Sequence, residues 1–222
     1  LTYNFARYLT DNRNFMLQHL PVPLYTARQV RELDRIAIQD WGIPGIKLMK
    51  RAGYAVFQQL ISRWPGVPIT VFCGAGNNGG DGYVVARLAL VAGFDPHVLL
   101  AADPESITGD ARVFLDAYRN MGGSLTCVTN EKDAVAALHQ FDNSAVLVDA
   151  LLGTGIEGEV RGLARFIIEH WPAIPTVAVD VPSGMNADTG EPCGCCIRAE
   201  STVTFQFLKH GLANPAARSY TG

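Results

Sequence analysis

An α/β protein, a three-layer α/β/α sandwich on a mostly parallel sheet with two N-terminal helices, is what the sequence predicts, and three observations carry that expectation. From Ile69 onward, short and nearly all-apolar runs alternate with amphipathic stretches, the pattern of strands covered on both faces by helices. The first of these runs, Ile69 to Phe72, meets a turn with five glycines in nine residues, Gly74 to Gly82, and a helical period follows from Tyr83; this is a strand, a tight turn and a helix start. Two later runs end in an aspartate followed by glycines and small hydroxyl residues, as binding loops at the carboxyl ends of parallel strands do. Together these make the sandwich Rossmann-like.

Taken in order, residues 1–24 show no clean period and contain the break Pro21-Val22-Pro23, so they read as an N-terminal arm suited to packing on a partner subunit. Residues 25–222 read as one domain. Thr26 is placed as an N-cap, and Val30, Leu33, Ile36 and Ala37 recur at helical spacing up to Trp41-Gly42. After Ile43-Pro44, a second amphipathic helix over Leu48, Met49, Ala52, Val56 and Leu60 stops before Trp64-Pro65-Gly66. Strands are expected near Ile69 to Cys73, His97 to Ala101, Ser124 to Val128, Ala145 to Asp149, Thr176 to Val181 and Thr202 to Phe207. Helices are expected near Gly82 to Ala92, Ile107 to Met121, Ala134 to Phe141 and Leu163 to His170.

Composition narrows the function classes. With 222 residues, 48% of them apolar, the chain has material for one sizeable core. A net charge of -3 leaves no basic footprint for nucleic acid. Arg87 interrupts the best apolar stretch, Tyr83 to Phe94, so no membrane span is expected. The chain starts at Leu1 without a charged-then-apolar leader pattern, which reads as a trimmed rather than a secreted chain. Five cysteines, three of them at Cys193, Cys195 and Cys196, lack the paired spacing of a zinc site and have no histidine nearby in sequence. Free thiols in a reducing compartment, the cytoplasm or an organelle matrix, are expected.

Three strand ends carry the chemistry: GAGNNGGDG after the first strand, DALLGTG from Asp149, and DVPSGMNADTGEP from Asp180. In an open parallel sheet they should converge on one pocket. Gly74, Gly76 and Gly79 satisfy G-x-G-x-x-G, and Asp103 lies near the acidic position expected after a second strand, which taken alone points to a dinucleotide-binding dehydrogenase. Against it, Asp81 sets a negative charge where a pyrophosphate would lie, and no hydride-acceptor site is recognisable. Asp81 reads as a helix N-cap or a ligand, roles that are compatible. Asn77 and Asn78 suit a turn, but they also offer amide oxygens opposite two carboxylates, and an all-oxygen set suits a hard cation. Asp149 and Asp180 read as turn caps or site carboxylates. Ser183 lacks the G-x-S-x-G elbow of a nucleophile and reads as a hydroxyl ligand or turn former. Lys209, in FLKHGL, is either a solvated lysine or a cation facing an anion. His97 and His210 carry no pattern, and Arg161, after the glycine-rich loop, reads as a surface charge.

With these loops side by side, the sequence resembles the YjeF N-terminal domain family, the NAD(P)H-hydrate epimerases. The matching blocks are YTARQVRELDRIAIQDWGIPGIKLMKRAG, VFCGAGNNGGDGYVVARLA, VDALLGTGIEGEVRG, VAVDVPSGMNADTGE and TVTFQFLKHGL, in family order from Tyr25. Lys50 stands where the family usually has a glutamate. The resemblance implies a Rossmann-like fold and an isomerase of nicotinamide cofactor repair. Such an enzyme interconverts the R and S epimers of C6-hydrated NADH and NADPH (NADHX and NADPHX). It further implies hydrate binding by Asn77, Asn78, Gly79, Gly80 and Asp81, by the loop Gly153, Thr154, Gly155, Ile156, Glu157, Gly158 and Glu159, and by Asp180. A potassium ion is implied at Asn78, Asp149 and Ser183, with a homodimer and a fused or separate C-terminal dehydratase as partners.

From the substrate's chemistry, a carbinolamine carbon beside a ring nitrogen loses its hydroxyl when an acid protonates the leaving oxygen, and water returns on the other face. Asp180 is expected to be that acid/base and Lys209 its accessory group. A non-catalytic nucleotide-binding or scaffold module of the same fold is the alternative; the complete NNGGD loop with Asp149 and Asp180 favours the enzyme.

Overall fold

The structure, a computed structural model, describes residues 3–4, 22–139 and 145–222. The strands are β1 (Tyr3–Asn4), β2 (Leu24–Tyr25), β3 (Ile69–Cys73), β4 (His97–Leu100), β5 (Ser124–Cys127), β6 (Val146–Ala150), β7 (Thr176–Val179), β8 (Ser201–Thr204) and β9 (Leu208–Lys209). The helices are α1 (Ala27–Gln39), α2 (Gly45–Arg63), α3 (Asn77–Val91), α4 (Gly109–Asn120), α5 (Glu131–Leu138), α6 (Gly162–Glu169), α7 (His210–Ala213) and α8 (Arg218–Thr221).

Seven strands form one sheet in the order β1-β8-β7-β6-β3-β4-β5, parallel except for β1 on β8, and β2 pairs in parallel with β9. From β3 the chain runs outward through β4 to β5, then returns to the other side of β3 as β6 and continues to β7 and β8. The order therefore reverses between β3 and β6, where such sheets bind ligands. Every residue of β3, β6 and β7 is buried, as strands with helices on both faces must be. The edge strand β5 instead alternates exposed and half-buried positions.

The pleat sorts side chains into two cores. Val71, Val98, Val146 and Val148 face α2, α3 and α4, where Val56, Leu60, Val84, Val85 and Leu115 meet them. Phe72, Leu99 and Leu147 point the other way, onto Ala134, Leu138 and Ile167 of α5 and α6. This alternation is the period-2 signature of strands, and it makes the predicted three layers. A third cluster, including Ala27, Val181, Met185, Leu208 and Leu212, closes the carboxyl ends of β7 and β8.

The structure places Thr26 as the N-cap of α1, in a capping box with Gln29: the Gln29 N–H donates to Thr26 Oγ1 (3.2 Å), and the Thr26 N–H donates to Gln29 Oε1 (2.8 Å). Several boundaries differ from the sequence expectation: the strand expected to run to Phe207 ends at Thr204, where the chain turns toward Gln206 with φ 59°, and α5 starts at Glu131, capped by Asn130, rather than at Ala134. Helix α3 starts at Asn77 rather than Gly82, with Gly76 as its N-cap, so Asp81 lies inside the helix and is not the cap. Asn and Gly are poor helix formers, yet here close packing decides the conformation. A Cβ on Gly79 would stand 2.0 Å from the Gly74 carbonyl oxygen, and one on Gly80 would stand 2.6 Å from Met49 Cε. The predicted strand through Val181 ends at Val179, because Asp180 turns the chain with φ 67°. Of the N-terminal arm, Tyr3–Asn4 pair with β8, and its other residues before Val22 lie outside the described ones, as does the predicted end of α5 at Phe141.

Candidate active site

The carboxyl ends of β3, β6, β7 and β8 open into a cleft of about 1400 Å³, walled on its other side by α1 and α2. The first turn of α3 forms one edge. Its N-cap residue is Gly76, no side chain caps it, and Gly76, Asn77 and Asn78 line the cleft, so this helix end is of the kind that accepts an anion. Asn77, Asn78 and Asp81 line the cleft, while Gly79 and Gly80 lie behind its wall as packing glycines.

Behind the edge shared by β3 and β6 sits a network that is buried at Asp149 and Ser183 and reaches the cleft at Asn78 and Leu152. Asp149 is 0% exposed; its Oδ2 accepts from the Ser183 N–H (2.7 Å) and its Oδ1 from the Ser183 hydroxyl. The Leu152 N–H donates to Ser183 Oγ (2.8 Å), and Asn78 Nδ2 donates to the Leu152 carbonyl (2.9 Å). The three residues expected to share an ion are thus joined through Leu152. Burial pushes the Asp149 pKa up to about 6, against the opposing effect of its hydrogen bonds from Ser183 and Leu151. The group is an all-oxygen donor set around a buried carboxylate that, among the described residues, pairs with no cationic side chain, and it fits a hard cation. Among the described residues no group of three His, Cys, Asp or Glu side chains is arranged to hold a metal, and all five cysteines are free.

A second network lies on the cleft wall. Lys209 is buried, and its ammonium donates to Asp180 Oδ1, to Thr204 Oγ1 (2.9 Å) and to the Phe205 carbonyl (3.1 Å). The Thr204 hydroxyl donates to the same Asp180 oxygen (3.1 Å). Lys209 is therefore no solvated lysine; it neutralises a carboxylate that stands at the tip of β7. Two further acids face this pair. Burial, and then the charges of Asp180 and Asp34, push the Asp81 pKa well above the usual carboxylate range. Burial likewise raises Asp34, with Asp180 adding to the rise and the Gln206 hydrogen bond opposing it.

Of the loop Gly153–Glu159, Gly153, Thr154, Gly155 and Ile156 line the cleft. Glu157, Gly158 and Glu159 are exposed and stand outside that wall, with Glu159 Oε2 4.0 Å from Arg165 Nη1. Asp103 belongs to no part of the cleft; its side chain accepts from the Glu105 N–H (2.9 Å) and caps a short turn. Sequence reading missed Asp34 and Gln206, which α1 and the turn after β8 bring to the wall. A signal for Asp34 existed: it lies one helical turn from Val30, an acid on the stripe that α1 buries.

A doubly wound, mostly parallel sheet, with a buried carboxylate network and a carboxylate–lysine pair where its strand order reverses, defines the class as a Rossmann-like α/β protein. The comparisons narrow it. A family model described as YjeF-related protein N-terminus matches residues 45–211, and the chain belongs to that family. It is 42% identical over 205 residues to the bifunctional NAD(P)H-hydrate repair enzyme Nnr of Moorella thermoacetica, a match covering 90% of this chain and 39% of that protein. It is 38% identical over 201 residues to the NAD(P)H-hydrate epimerase of Pirellula staleyi, covering 90% of this chain and 88% of that protein. The chain thus spans about two fifths of the bifunctional relative and most of the single-function one. The crystal structure of yeast ynu0 superposes with a TM-score of 0.76 at 24% identity over 86% of this chain and 83% of that one, and shares the fold.

Proposed function

We propose that the chain is an NAD(P)H-hydrate epimerase, an isomerase interconverting the R and S epimers of C6-hydrated NADH or NADPH. The observation that carries this reading is the joining, in one cleft, of the uncapped α3 end with the Asp180–Lys209 pair. The first suits a pyrophosphate; the second is a proton-transfer pair within reach of a bound ring. Relatives bearing the epimerase name over most of their length support it. Asp180 protonates the leaving C6 hydroxyl or takes a proton from the entering water, and Lys209 holds the Asp180 carboxylate in place. The carboxylates around the ring favour the positive charge that develops on its nitrogen as the hydroxyl departs.

Asn78, Asp149 and Ser183 hold potassium in this reading. The ion supplies positive charge beside a dinucleotide and offsets the carboxylates behind the cleft. A homodimer fits the exposed Ile38, Trp41 and Tyr54 on α1, α2 and the turn between them, and a dehydratase, fused or separate, consumes one epimer in this reading; relatives named bifunctional NAD(P)H-hydrate repair enzymes support a second activity of this kind. Free thiols suit the cytoplasm or an organelle matrix; among the described residues no helix is long and apolar enough to cross a membrane. Purified R-hydrate incubated with the protein, with and without potassium, and resolved by chiral chromatography tests the activity. Appearance of the S form well above the uncatalysed rate is expected, and no acceleration in either condition refutes it.

A further inference from the structure

We propose that Asp34 is a second catalytic acid/base of the cleft, serving the face of the substrate ring opposite to the one that Asp180 serves; this role rests on the hydrate-epimerase reading. Helix α1 carries Asp34 across the carboxyl ends of three strands. The Ala27 N–H donates to Asp188 Oδ1 (2.6 Å) in the segment after β7. Arg31 Nη1 donates to the Thr154 carbonyl (3.1 Å) after β6, and Gln206 Nε2, from the turn after β8, donates to Asp34 Oδ1. Asp180 belongs to the strand tips and Asp34 to the helix that faces them, and both line the same cleft.

Gln206 is built to aim this carboxylate. Among the described residues, Asp180 and Gln206 are the two non-glycine residues with positive φ, at 67° and 59°, backbone strain of the kind that gathers at functional sites. The Gln206 amide makes its hydrogen bond to Asp34 while its own Oε1 is buried without a partner. The groups facing Asp34 are Asp180, Lys209 and Gln206, with Asp81 also within electrostatic reach. Burial raises the Asp34 pKa and the Asp180 charge adds to the rise, while the Gln206 hydrogen bond and the Lys209 charge oppose it; Asp180 itself is bonded to an ammonium. A neutral amide holds the Asp34 carboxyl and an ammonium holds the Asp180 carboxylate, and this difference in partners assigns the acid role to the first and the base role to the second.

The chemistry needs both faces. The Asp34 carboxylic acid gives its proton to the C6 hydroxyl; the C–O bond breaks, water leaves, and the ring-nitrogen lone pair forms a C=N bond. Water on the other face attacks C6, the nitrogen recovers its electron pair, and the Asp180 carboxylate takes the proton released. One proton leaves Asp34 and one arrives at Asp180, so no oxidant or reductant enters. The opposite epimer runs the same steps in reverse.

Asp34→Asn keeps an oxygen that accepts the Gln206 bond, so it separates acid/base chemistry from a tethering role. In the full-length chain, the variant is expected to lose about a hundredfold in kcat while KM and Tm stay near wild type. Asp34→Glu is expected to regain part of the rate, and of the two limbs expected in the wild-type kcat/KM pH profile, one should be lost in Asp34→Asn. An active wild type with an equally active Asp34→Asn, or an Asp34→Glu slower than Asp34→Asn, overturns the role of Asp34 alone. A wild type that does not interconvert the epimers overturns the epimerase reading and this role with it.

Discussion

Asp149 and Asp180 leave the sheet at the ends of neighbouring strands, each opening a loop of glycines and small hydroxyl residues, yet their surroundings differ in kind. Asp149 is 0% exposed and occupied by Ser183 and Leu151. The Asp180 side chain is 16% exposed, bonded to a buried lysine and open to the cleft. The first arrangement fixes two loops and offers oxygens to a cation. The second leaves a carboxylate able to meet a substrate. The same local sequence pattern therefore leaves one carboxylate enclosed by amide and hydroxyl donors and the other paired with a lysine and open to the cleft.

The largest effect that separates the two comes from Lys209→Met. Removing the ammonium leaves Asp180 largely buried and unpaired, and loss of one partner of such a pair costs about 3–5 kcal/mol. Urea unfolding should show a loss of this order, whereas a loss below about 1 kcal/mol would mean that the Asp180–Lys209 pair is not a buried one in solution.

The Asp149 side responds to pH and potassium. Its folded pKa, about 6, lies above the unfolded value of about 3.9, so without a cation the native state holds the proton more tightly than the unfolded one. The stability that this contributes is present below pH about 4 and is lost as pH rises through about 6. A cation needs the ionised form, so potassium at a hundredfold excess over its Kd at pH 7 should stabilise by about 2.7 kcal/mol there, and by less at pH 5, where most of the carboxyl is protonated. Melting curves in potassium and in a large organic cation at both pH values check this; equal shifts at the two would remove the ion from Asp149.

The smallest effect is expected at the loop end that leaves the cleft. Glu159→Ala removes an exposed pairing with Arg165 at 4.0 Å, worth no more than about 0.5 kcal/mol, and should leave KM for the hydrate within about twofold. A large rise in KM would bring Glu159 to the substrate.

Much of the fold was legible because burial on both faces writes itself as apolar runs: β3, β6 and β7 were each found from such runs. The strand-tip residues were legible for the same reason, since an aspartate closing an apolar run is hard to explain otherwise. Less was legible where packing overrides propensity. The first turn of α3 is Asn and Gly in sequence but helical in structure, because Gly79 and Gly80 let it press against Gly74 and Met49. Asp34 escaped because a helical period read from its apolar positions gives no weight to an acid among them. Gln206 escaped because a left-handed turn at a glutamine has no local signature. The pairing of Lys209 with Asp180 joins residues far apart in sequence, and only the adjacency of β7 and β8 reveals it.

The most direct test of Asp180 as the reacting carboxylate is the epimerisation rate of Asp180→Asn set beside its affinity for the hydrate. An amide preserves the shape and cannot transfer the proton, so conversion of R to S should fall by about a hundredfold or more while binding stays within a few fold of wild type. Conversion at the wild-type rate would contradict the account, and Asp180 would join Asp149 as an anchor of the fold.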